Sequence, residues 1–279
     1  MVNLMKAEPE CLNCLRKLAR QATEMATTDE NVRPKIEREL TKILNRLSPD
    51  LVPSDLSSEF HSIVKELSGN RDPYRKRKLL EIEAAGLAFS KIKPKEDLRS
   101  CVEIAAQGNA FDFFVDQENL LRSLRETPKF AIDHVERLRQ KLATAREILY
   151  LSDNAGEAFF DLPLVKALGK HAKVTYAVKE APVQNDLTLE DLRRAGLGES
   201  FDSIIEAPAT IGVYLEKASP AFRAKFDRAD LVVAKGMGNY ETLSELPESG
   251  KFFYILRAKC GPVARSLGVN VDDYVAMLR

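Results

Sequence analysis

The stretch Leu149–Asp161, LYLSDNAGEAFFD, decides how the rest of the chain is interpreted. Its apolar start is typical of a short buried strand, and that strand ends abruptly at Asp153 and Asn154. A tight Ala-Gly turn follows, and then a helix. Open α/β sheets bind ligands at the carboxyl ends of their strands, which is where this acid–amide pair falls. Because Asp and Asn oxygens suit Mg²⁺ or Mn²⁺ better than a soft metal, the stretch predicts a metal-assisted reaction.

The composition excludes several classes of protein. The chain has 279 residues, with 42 basic and 42 acidic side chains, so no global field favours nucleic acid or a membrane surface. Its four cysteines are too few for a disulfide scaffold of this length. The first ten residues lack the apolar core of a signal peptide, and no apolar run is long enough to span a bilayer. We expect a cytoplasmic protein without nucleic-acid or membrane partners, and the sequence gives no indication of its oligomeric state.

Two patterns divide the chain near residue 145. Before it, apolar residues recur at helical spacing, as in Cys11–Met25. After it, short apolar runs alternate with helical patterns, which is typical of βαβ units in a mostly parallel sheet. We predict a helical cap subdomain, residues 1–145, and a Rossmann-like α/β domain, residues 146–279, that carries the metal and phosphate site. The predicted strands are Ile148–Leu151, Val174–Val178, Ser203–Ile205, Leu231–Ala234 and Phe252–Leu256.

Polar and reactive residues follow four of these five predicted strands. The carboxyl ends of parallel strands share one edge of a sheet, so these residues are expected to converge. The usual doubly wound order also places the first and fourth of these strands side by side, at the point where the strand order reverses. Asp153 and Lys235 are therefore expected to be neighbours across a ligand crevice.

The predicted cation ligands are Asp153, Asn154 and, from the following loop, Asp186. Three protein oxygens with open positions for water fit the coordination of Mg²⁺. The alternative for the acid–amide pair is that it caps the helix that follows, a common role of Asp and Asn. The polar residues of the other loops favour the metal.

The run from Lys235 to Asn239, KGMGN, is interpreted as an anion cradle. Gly236 and Gly238 let backbone N–H groups approach an oxyanion, a helix begins just after them, and Lys235 can neutralise a phosphate. A simple strand-to-helix turn is the alternative explanation of the glycines, and the run lacks the final Lys-Ser/Thr of a Walker A loop. Lys259, after the last predicted strand, is either a second phosphate contact or a solvated lysine.

Cys11 and Cys14 lie one helical turn apart, but the sequence contains no second C-x-x-C to complete a zinc site. Buried thiols are favoured over a structural metal, because free cysteine is often a small core residue. Asn109 is either the N-cap of a helix or a residue that reaches the substrate.

Together these motifs resemble one known family. The shared motifs are C-x-x-C at Cys11–Cys14, GNxxD with Gly108, Asn109 and Asp112, SDNAGE at Ser152–Glu157, ND at Asn185–Asp186, KGMGNYETL at Lys235–Leu243 and AKC at Ala258–Cys260. They are similar to the metal-dependent damage-control phosphatases, long known as domain of unknown function 89, and to their compact archaeal and bacterial branch. The resemblance covers nearly the whole chain, and SDNAGE and KGMGN together are its most specific part.

The resemblance implies a helical N-terminal part on a Rossmann-like domain, and a phosphatase dependent on Mn²⁺, Co²⁺, Ni²⁺ or Mg²⁺. Its substrates would be small phosphorylated metabolites, namely sugar phosphates or damaged phosphometabolites. The metal positions fall on Asp153, Asn154 and Asp186, and the phosphate-binding lysine falls on Lys235. Further expected substrate or phosphate contacts are Asn109, Asp112, Glu157, Gly236, Gly238, Asn239 and Lys259.

The hypothesis that follows is metal-assisted phosphoryl transfer, with Asp153, Asp186 and Lys235 as the catalytic residues. The attacking group is either a water oriented by the cation or a carboxylate, or an aspartate that forms an aspartyl-phosphate. Two alternatives remain open: an S-adenosylmethionine-dependent methyltransferase on a Rossmann-like sheet, and a non-enzymatic module that senses phosphometabolites or acts through zinc or thiols at Cys11 and Cys14.

Overall fold

The N-terminal half is helical, as its periodicity predicts. The structure is a computed structural model that describes residues 5–109 and 127–279. The helices of the first range are α1 (Cys11–Ala26), α2 (Arg33–Leu44), α3 (Pro53–Ser68), α4 (Arg75–Phe89) and α5 (Leu98–Gly108). Helices α1–α3 enclose a core of their own around Leu15, Ile36 and Phe60. Asp112, the last residue of the GNxxD motif and a predicted substrate contact, lies outside the described residues.

A seven-stranded sheet forms the second half, which confirms the predicted α/β class. The strands are β1 (Phe130–Asp133), β2 (Glu147–Leu151), β3 (Lys173–Lys179), β4 (Ile204–Ala207), β5 (Leu231–Lys235), β6 (Phe252–Arg257) and β7 (Tyr274–Leu278). Their order across the sheet is β1-β7-β6-β5-β2-β3-β4. All neighbouring strands are parallel except β6 and β7, which are antiparallel.

Helices cover both faces of the sheet, which explains why its central strands are continuously apolar. The helices of the second range are α6 (Val135–Leu142), α7 (Ala158–Gly169), α8 (Leu189–Arg194), α9 (Pro220–Arg228), α10 (Gly236–Leu243) and α11 (Gly261–Leu267). Helices α6, α7 and α8 share one core with α5, and α9, α10 and α11 share the core on the opposite face. Within the described residues, no helix combines the length and the apolar character needed to cross a bilayer.

The chain joins the sheet earlier than the sequence suggests. The expectation of helix up to residue 145 is wrong at β1, which pairs with β7 at one edge of the sheet. Its residues alternate between half-buried and exposed, so this short edge strand lacks the continuous apolar run that identifies central strands. The second strand that the sequence did not predict is β7, its partner.

The predicted reversal of strand order is confirmed between β2 and β5. The two strands are parallel neighbours, with Leu151 opposite Ala234 at their carboxyl ends. Strands β3 and β4 lie beyond β2, whereas β6 and β7 lie beyond β5. The acid–amide pair after β2 and the glycine-rich turn after β5 are thereby placed side by side, where α/β sheets bind ligands.

Candidate functional site

The loops after β2 and β3 hold the predicted cation ligands together. The N–H of Leu187 donates to the carbonyl of Asp153 at 2.9 Å, so the two loops are joined by a backbone hydrogen bond. Asn154 and Asp186 form an isolated antiparallel bridge beside it. The structure therefore brings Asp153, Asn154 and Asp186 to one place, as the sequence predicts.

These three residues line a cleft of about 310 Å³. Lys259 and Gly238, which follow the carboxyl ends of β6 and β5, line it as well. The rest of the lining comes largely from the N-terminal helices and the loop before α9. Its apolar and thiol members are Met5, Cys11, Cys14, Leu15, Leu18, Pro53, Ile211, Met237, Cys260 and Pro262, and its further polar members are Glu10, Ser54, Ser57, Gln184, Asn185 and Glu241.

Both carboxylates among the predicted cation ligands have raised pKa values. Burial raises the pKa of Asp153 well above its usual range, and the charges of Glu157 and Asp186 raise it further, whereas Lys259 acts in the opposite direction. Burial raises the pKa of Asp186 to about 6, although Lys179 opposes the shift from 3.6 Å. Acids that repel each other in a buried place are stabilised by a cation.

Position 236 requires a glycine for two reasons, its left-handed backbone and the closeness of Asp153. Its φ of 77° is left-handed, and a Cβ built on it would lie 1.8 Å from Oδ2 of Asp153. The carboxylate therefore occupies the space that any other side chain would fill. Helix α10 begins at Gly236, so the N–H groups of its first turn, which lack intrahelical acceptors, lie beside this carboxylate.

Lys235 does not face the cleft. Its side chain is fully buried, and its Nζ donates to Oε2 of Glu157 at 2.6 Å and to Oδ1 of Asp161 at 3.0 Å. Burial alone would lower the pKa of Lys235, but Asp161 and Glu157 together raise it. The arrangement does not support the predicted contact of Lys235 with phosphate, because the ammonium is already enclosed by two carboxylates.

Lys259 and Lys179 each act on one of the predicted acidic cation ligands. Lys259 lines the cleft and acts electrostatically on Asp153. Lys179 is buried, and its Nζ donates to the carbonyl of Gly212 at 2.6 Å while facing Asp186. Of the two predicted phosphate-binding lysines, only Lys259 is placed where a ligand in the cleft reaches it.

The amides of Asn109 and Asn239 are buried and serve as bridges. Nδ2 of Asn109 donates to Oδ2 of Asp153 at 3.1 Å and to Oε1 of Glu157 at 3.0 Å. Nδ2 of Asn239 donates to the carbonyls of Ser152 and Lys235, which joins the ends of β2 and β5. Neither amide lines the cleft, so the structure places both behind the predicted ligands rather than beside a substrate.

The three cysteines of the C-x-x-C and AKC motifs meet at the cleft, which the sequence did not predict. Cys11 is buried, Cys260 is half-buried and Cys14 is exposed, so the expectation of a pair of buried thiols is met only by Cys11. None of them forms a disulfide. The segment just before helix α1 contacts α11 through ion pairs from Arg265 to Glu8 and Glu10.

Asp161, Tyr150 and Tyr176 extend the polar network below the cleft, and sequence analysis missed all three. The hydroxyls of both tyrosines donate to the carboxylate of Asp161 at 2.8 Å. Two signals were present in the sequence. Asp161 follows Glu157 by one helical turn, and Lys235 shares a strand face with the core residues Leu231 and Val233.

The chemistry of the donor set fits a hard divalent cation. It consists of two carboxylates and one amide, all oxygen donors, with raised pKa values at both acids. Among the described residues, no three His, Cys, Asp or Glu side chains are grouped so that they could hold a metal ion. The predicted set does not conflict with that finding, because its third member is Asn154.

Comparison with known proteins gives consistent matches over the whole chain. The family model of the damage-control phosphatase ARMT1-like domain matches residues 7–275. A damage-control phosphatase of Pyrococcus horikoshii is 35% identical over 284 residues, with 98% of each chain covered. One of Archaeoglobus fulgidus is 33% identical over 289 residues, covering 98% of this chain and 99% of the relative. The crystal structure of a DUF89 family protein from P. horikoshii superposes with a TM-score of 0.87 at 34% identity, covering 98% and 99% of the two chains.

Proposed function

This chain belongs to the family of ARMT1-like damage-control phosphatases, and from that premise we propose that it is a divalent-cation-dependent phosphatase of small, phosphorylated and damaged metabolites. The observation that carries the proposal is the meeting of Asp153, Asn154 and Asp186 in a cleft that Lys259 also lines. The comparisons give no support to the methyltransferase or to the sensing module.

Asp153, Asn154 and Asp186 would hold the cation, and the assay below supplies Mn²⁺, Co²⁺, Ni²⁺ and Mg²⁺ in turn. When bound, the cation supplies positive charge to phosphoryl oxygens, and charge neutralisation with positioning is most of what phosphoryl transfer requires. The residues of the chain supply the rest. Lys259 neutralises a second phosphoryl oxygen, and the N–H groups at the start of α10 bind the remaining one.

The wall of the cleft supports a small substrate. Its volume of about 310 Å³ lies at the lower end of the range for small-molecule sites. Ser54, Ser57, Gln184 and Glu241 offer hydrogen bonds to the part of the substrate beyond the phosphate. Apolar and thiol groups make up most of the remaining wall, which favours a compact metabolite over an extended chain.

A screen of phosphorylated sugars, cofactors and nucleotides, repeated with each of the four cations, tests the proposal. We expect turnover that a chelator abolishes and that a divalent cation restores. Asp153→Ala should abolish turnover while far-UV circular dichroism shows an intact fold. Metal-independent turnover, or full turnover by Asp153→Ala, would refute the proposal.

Lys259→Met tests the second part of the assignment. Because Lys259 is proposed to bind the phosphate and not the cation, this variant should raise KM at least tenfold at saturating Mn²⁺, which is the order expected for a lost charge-assisted contact. Lys225→Met, which removes a lysine on α9 away from the cleft, is the control. An unchanged KM in Lys259→Met would move the phosphate site elsewhere.

A further inference from the structure

The enclosure of Lys235 points to a task other than phosphate binding. Its Nζ has carboxylate partners at 2.6 and 3.0 Å, and its side chain, like those of Glu157 and Asp161, is completely buried. To reach a phosphate in the cleft, the ammonium would have to leave both carboxylates uncompensated in the core. A buried pair is broken only at a large cost, so the observed contacts define the working arrangement of this lysine.

Glu157 connects this lysine to the predicted cation ligands. Oε2 accepts from Lys235, while Oε1 accepts from Nδ2 of Asn109 at 3.0 Å and from Nδ2 of Asn154 at 2.9 Å. Each oxygen of the carboxylate therefore has its own partners. Because Glu157 occupies the amide nitrogen of Asn154, the amide oxygen is the atom that Asn154 has left for a cation.

Asn109 restricts the orientation of Asp153 in a similar way. Its nitrogen donates to Oδ2 of Asp153 at 3.1 Å as well as to Glu157, and its oxygen accepts the N–H of Arg257 at 3.0 Å. All hydrogen-bonding atoms of this buried amide are thus engaged. The rotation of Asn109 is fixed, and with it one oxygen of Asp153.

The far end of the network is anchored in the sheet. Asp161 receives the hydroxyls of Tyr150 on β2 and Tyr176 on β3, both at 2.8 Å, and both tyrosines are buried in the core. The chain of contacts runs from these tyrosines through Asp161, Lys235 and Glu157 to the two amides. Every link as far as Asn109 is a hydrogen bond between buried side chains, and the last one, from Asn154 to Glu157, is partly buried at the edge of the cleft.

We infer that Lys235 is a positioning residue, which, through Glu157, presents the oxygens of Asn154 and Asp153 to the cation and does not itself contact phosphate. The inference rests on the proposed function, since it concerns the same cation site. Partners behind metal ligands that fix ligand orientation commonly contribute about 10- to 100-fold to metal affinity.

The test separates cation affinity from phosphate affinity. Mn²⁺ binding is measured by titration calorimetry, and inorganic phosphate is measured as a competitive inhibitor at saturating Mn²⁺. We expect Lys235→Met to weaken Mn²⁺ binding at least tenfold and to change the inhibition constant of phosphate less than threefold. Lys259→Met should show the reverse pattern. A Lys235→Met variant that binds Mn²⁺ normally but loses phosphate would overturn the inference.

A pair of milder variants tests the positioning role even if Lys235→Met does not fold. Tyr176→Phe deletes one hydroxyl that bonds Asp161 and lies outside the cleft lining, and it should weaken Mn²⁺ binding by about threefold without affecting phosphate. Tyr254→Phe is the matched control, since its buried hydroxyl has no hydrogen-bond partner among the described residues. Equal Mn²⁺ affinities in the two variants and the wild type would contradict the inference.

The outcome for the wild type distinguishes this inference from the proposed function. If the wild type binds no divalent cation, the proposed metal dependence fails and the positioning role fails with it. If the wild type binds Mn²⁺ and all variants of the network bind it equally well, only the positioning role is refuted.

Discussion

At the scale of single residues, the site depends on which atoms are absent as much as on which are present. Gly236 is the clearest case, because its missing Cβ leaves room for the carboxylate of Asp153. The same residue has a left-handed backbone that strains any L side chain. One glycine therefore permits both the turn into α10 and the close approach of a predicted ligand.

Gly236→Ala should damage the site more than the fold. The left-handed backbone costs about 1–2 kcal/mol of folding stability. Displacement of Asp153 should lower kcat/KM by about 100-fold, since small misplacements of reacting groups have effects of that order. Steady-state kinetics and urea denaturation measure the two effects. Gly169→Ala is the control, because a Cβ there meets nothing within 4 Å.

If Gly236→Ala retained wild-type kcat/KM, displacing the carboxylate of Asp153 would have no effect on catalysis. That result would contradict the role of Asp153 as a cation ligand.

At the scale of elements, helix α3 contains a neutral buried histidine that links it to α4. Nδ1 of His61 donates to the carbonyl of Ser57 at 2.8 Å, and Nε2 accepts the hydroxyl of Tyr74 at 3.1 Å. Burial lowers the pKa of His61 from 6.5 to about 4. The folded protein therefore binds this proton less readily than the unfolded chain does.

His61 should make the helical half sensitive to acid. Its contribution to folding stability is complete above pH 6.5 and is lost as the pH falls towards 4, by up to about 3 kcal/mol. His61→Phe should be less stable at pH 7 because two hydrogen bonds are lost, but its stability should fall less between pH 6.5 and 4. Urea denaturation across that range compares the two proteins.

The exposed His171 provides the control, and His171→Gln should keep the acid dependence of the wild type. Parallel stability curves for the wild type and His61→Phe would show that another group causes the acid loss.

At the scale of the whole molecule, the helical half and the sheet are one structure. Residues of α4 and α5 such as Ile82, Leu98 and Val102 lie in the same core cluster as the central strands. A buried ion pair joins Lys78 on α4 to Asp191 on α8 at 2.7 Å, with both side chains almost fully enclosed. The cleft is likewise shared, because α1 and α3 supply lining residues opposite the strand ends.

A fragment of residues 146–279, the predicted α/β domain, should therefore fail to fold by itself. It would expose the apolar face that α5 covers and remove Lys78, the nearer cation partner of Asp191, and the loss of one partner of a buried ion pair is costly. We expect a broad, non-cooperative thermal transition and a weak near-UV circular dichroism signal, whereas the full chain unfolds cooperatively. A sharp transition in the fragment would instead establish an independent domain.

The sequence by itself determined the α/β class, the central strands and the convergence of Asp153, Asn154 and Asp186. It did so because these features depend on local periodicity and on a general rule of parallel sheets, by which strand ends share one edge. The short acid–amide stretch after β2 and the glycines after β5 are recognisable from the local sequence alone. The resemblance of the motifs to a known family then indicated a phosphatase.

Only the tertiary structure decided which lysine faces the cleft. Lys235 ends β5 and Lys259 lies just beyond β6, but Lys235 points to the start of α7, where Glu157 and Asp161 neutralise it, and Lys259 lines the cleft. The edge strand β1, its neighbour β7, and the arrival of Cys11, Cys14 and Cys260 at the cleft were decided in the same way. These outcomes depend on contacts between segments far apart in the chain, which local spacing does not record.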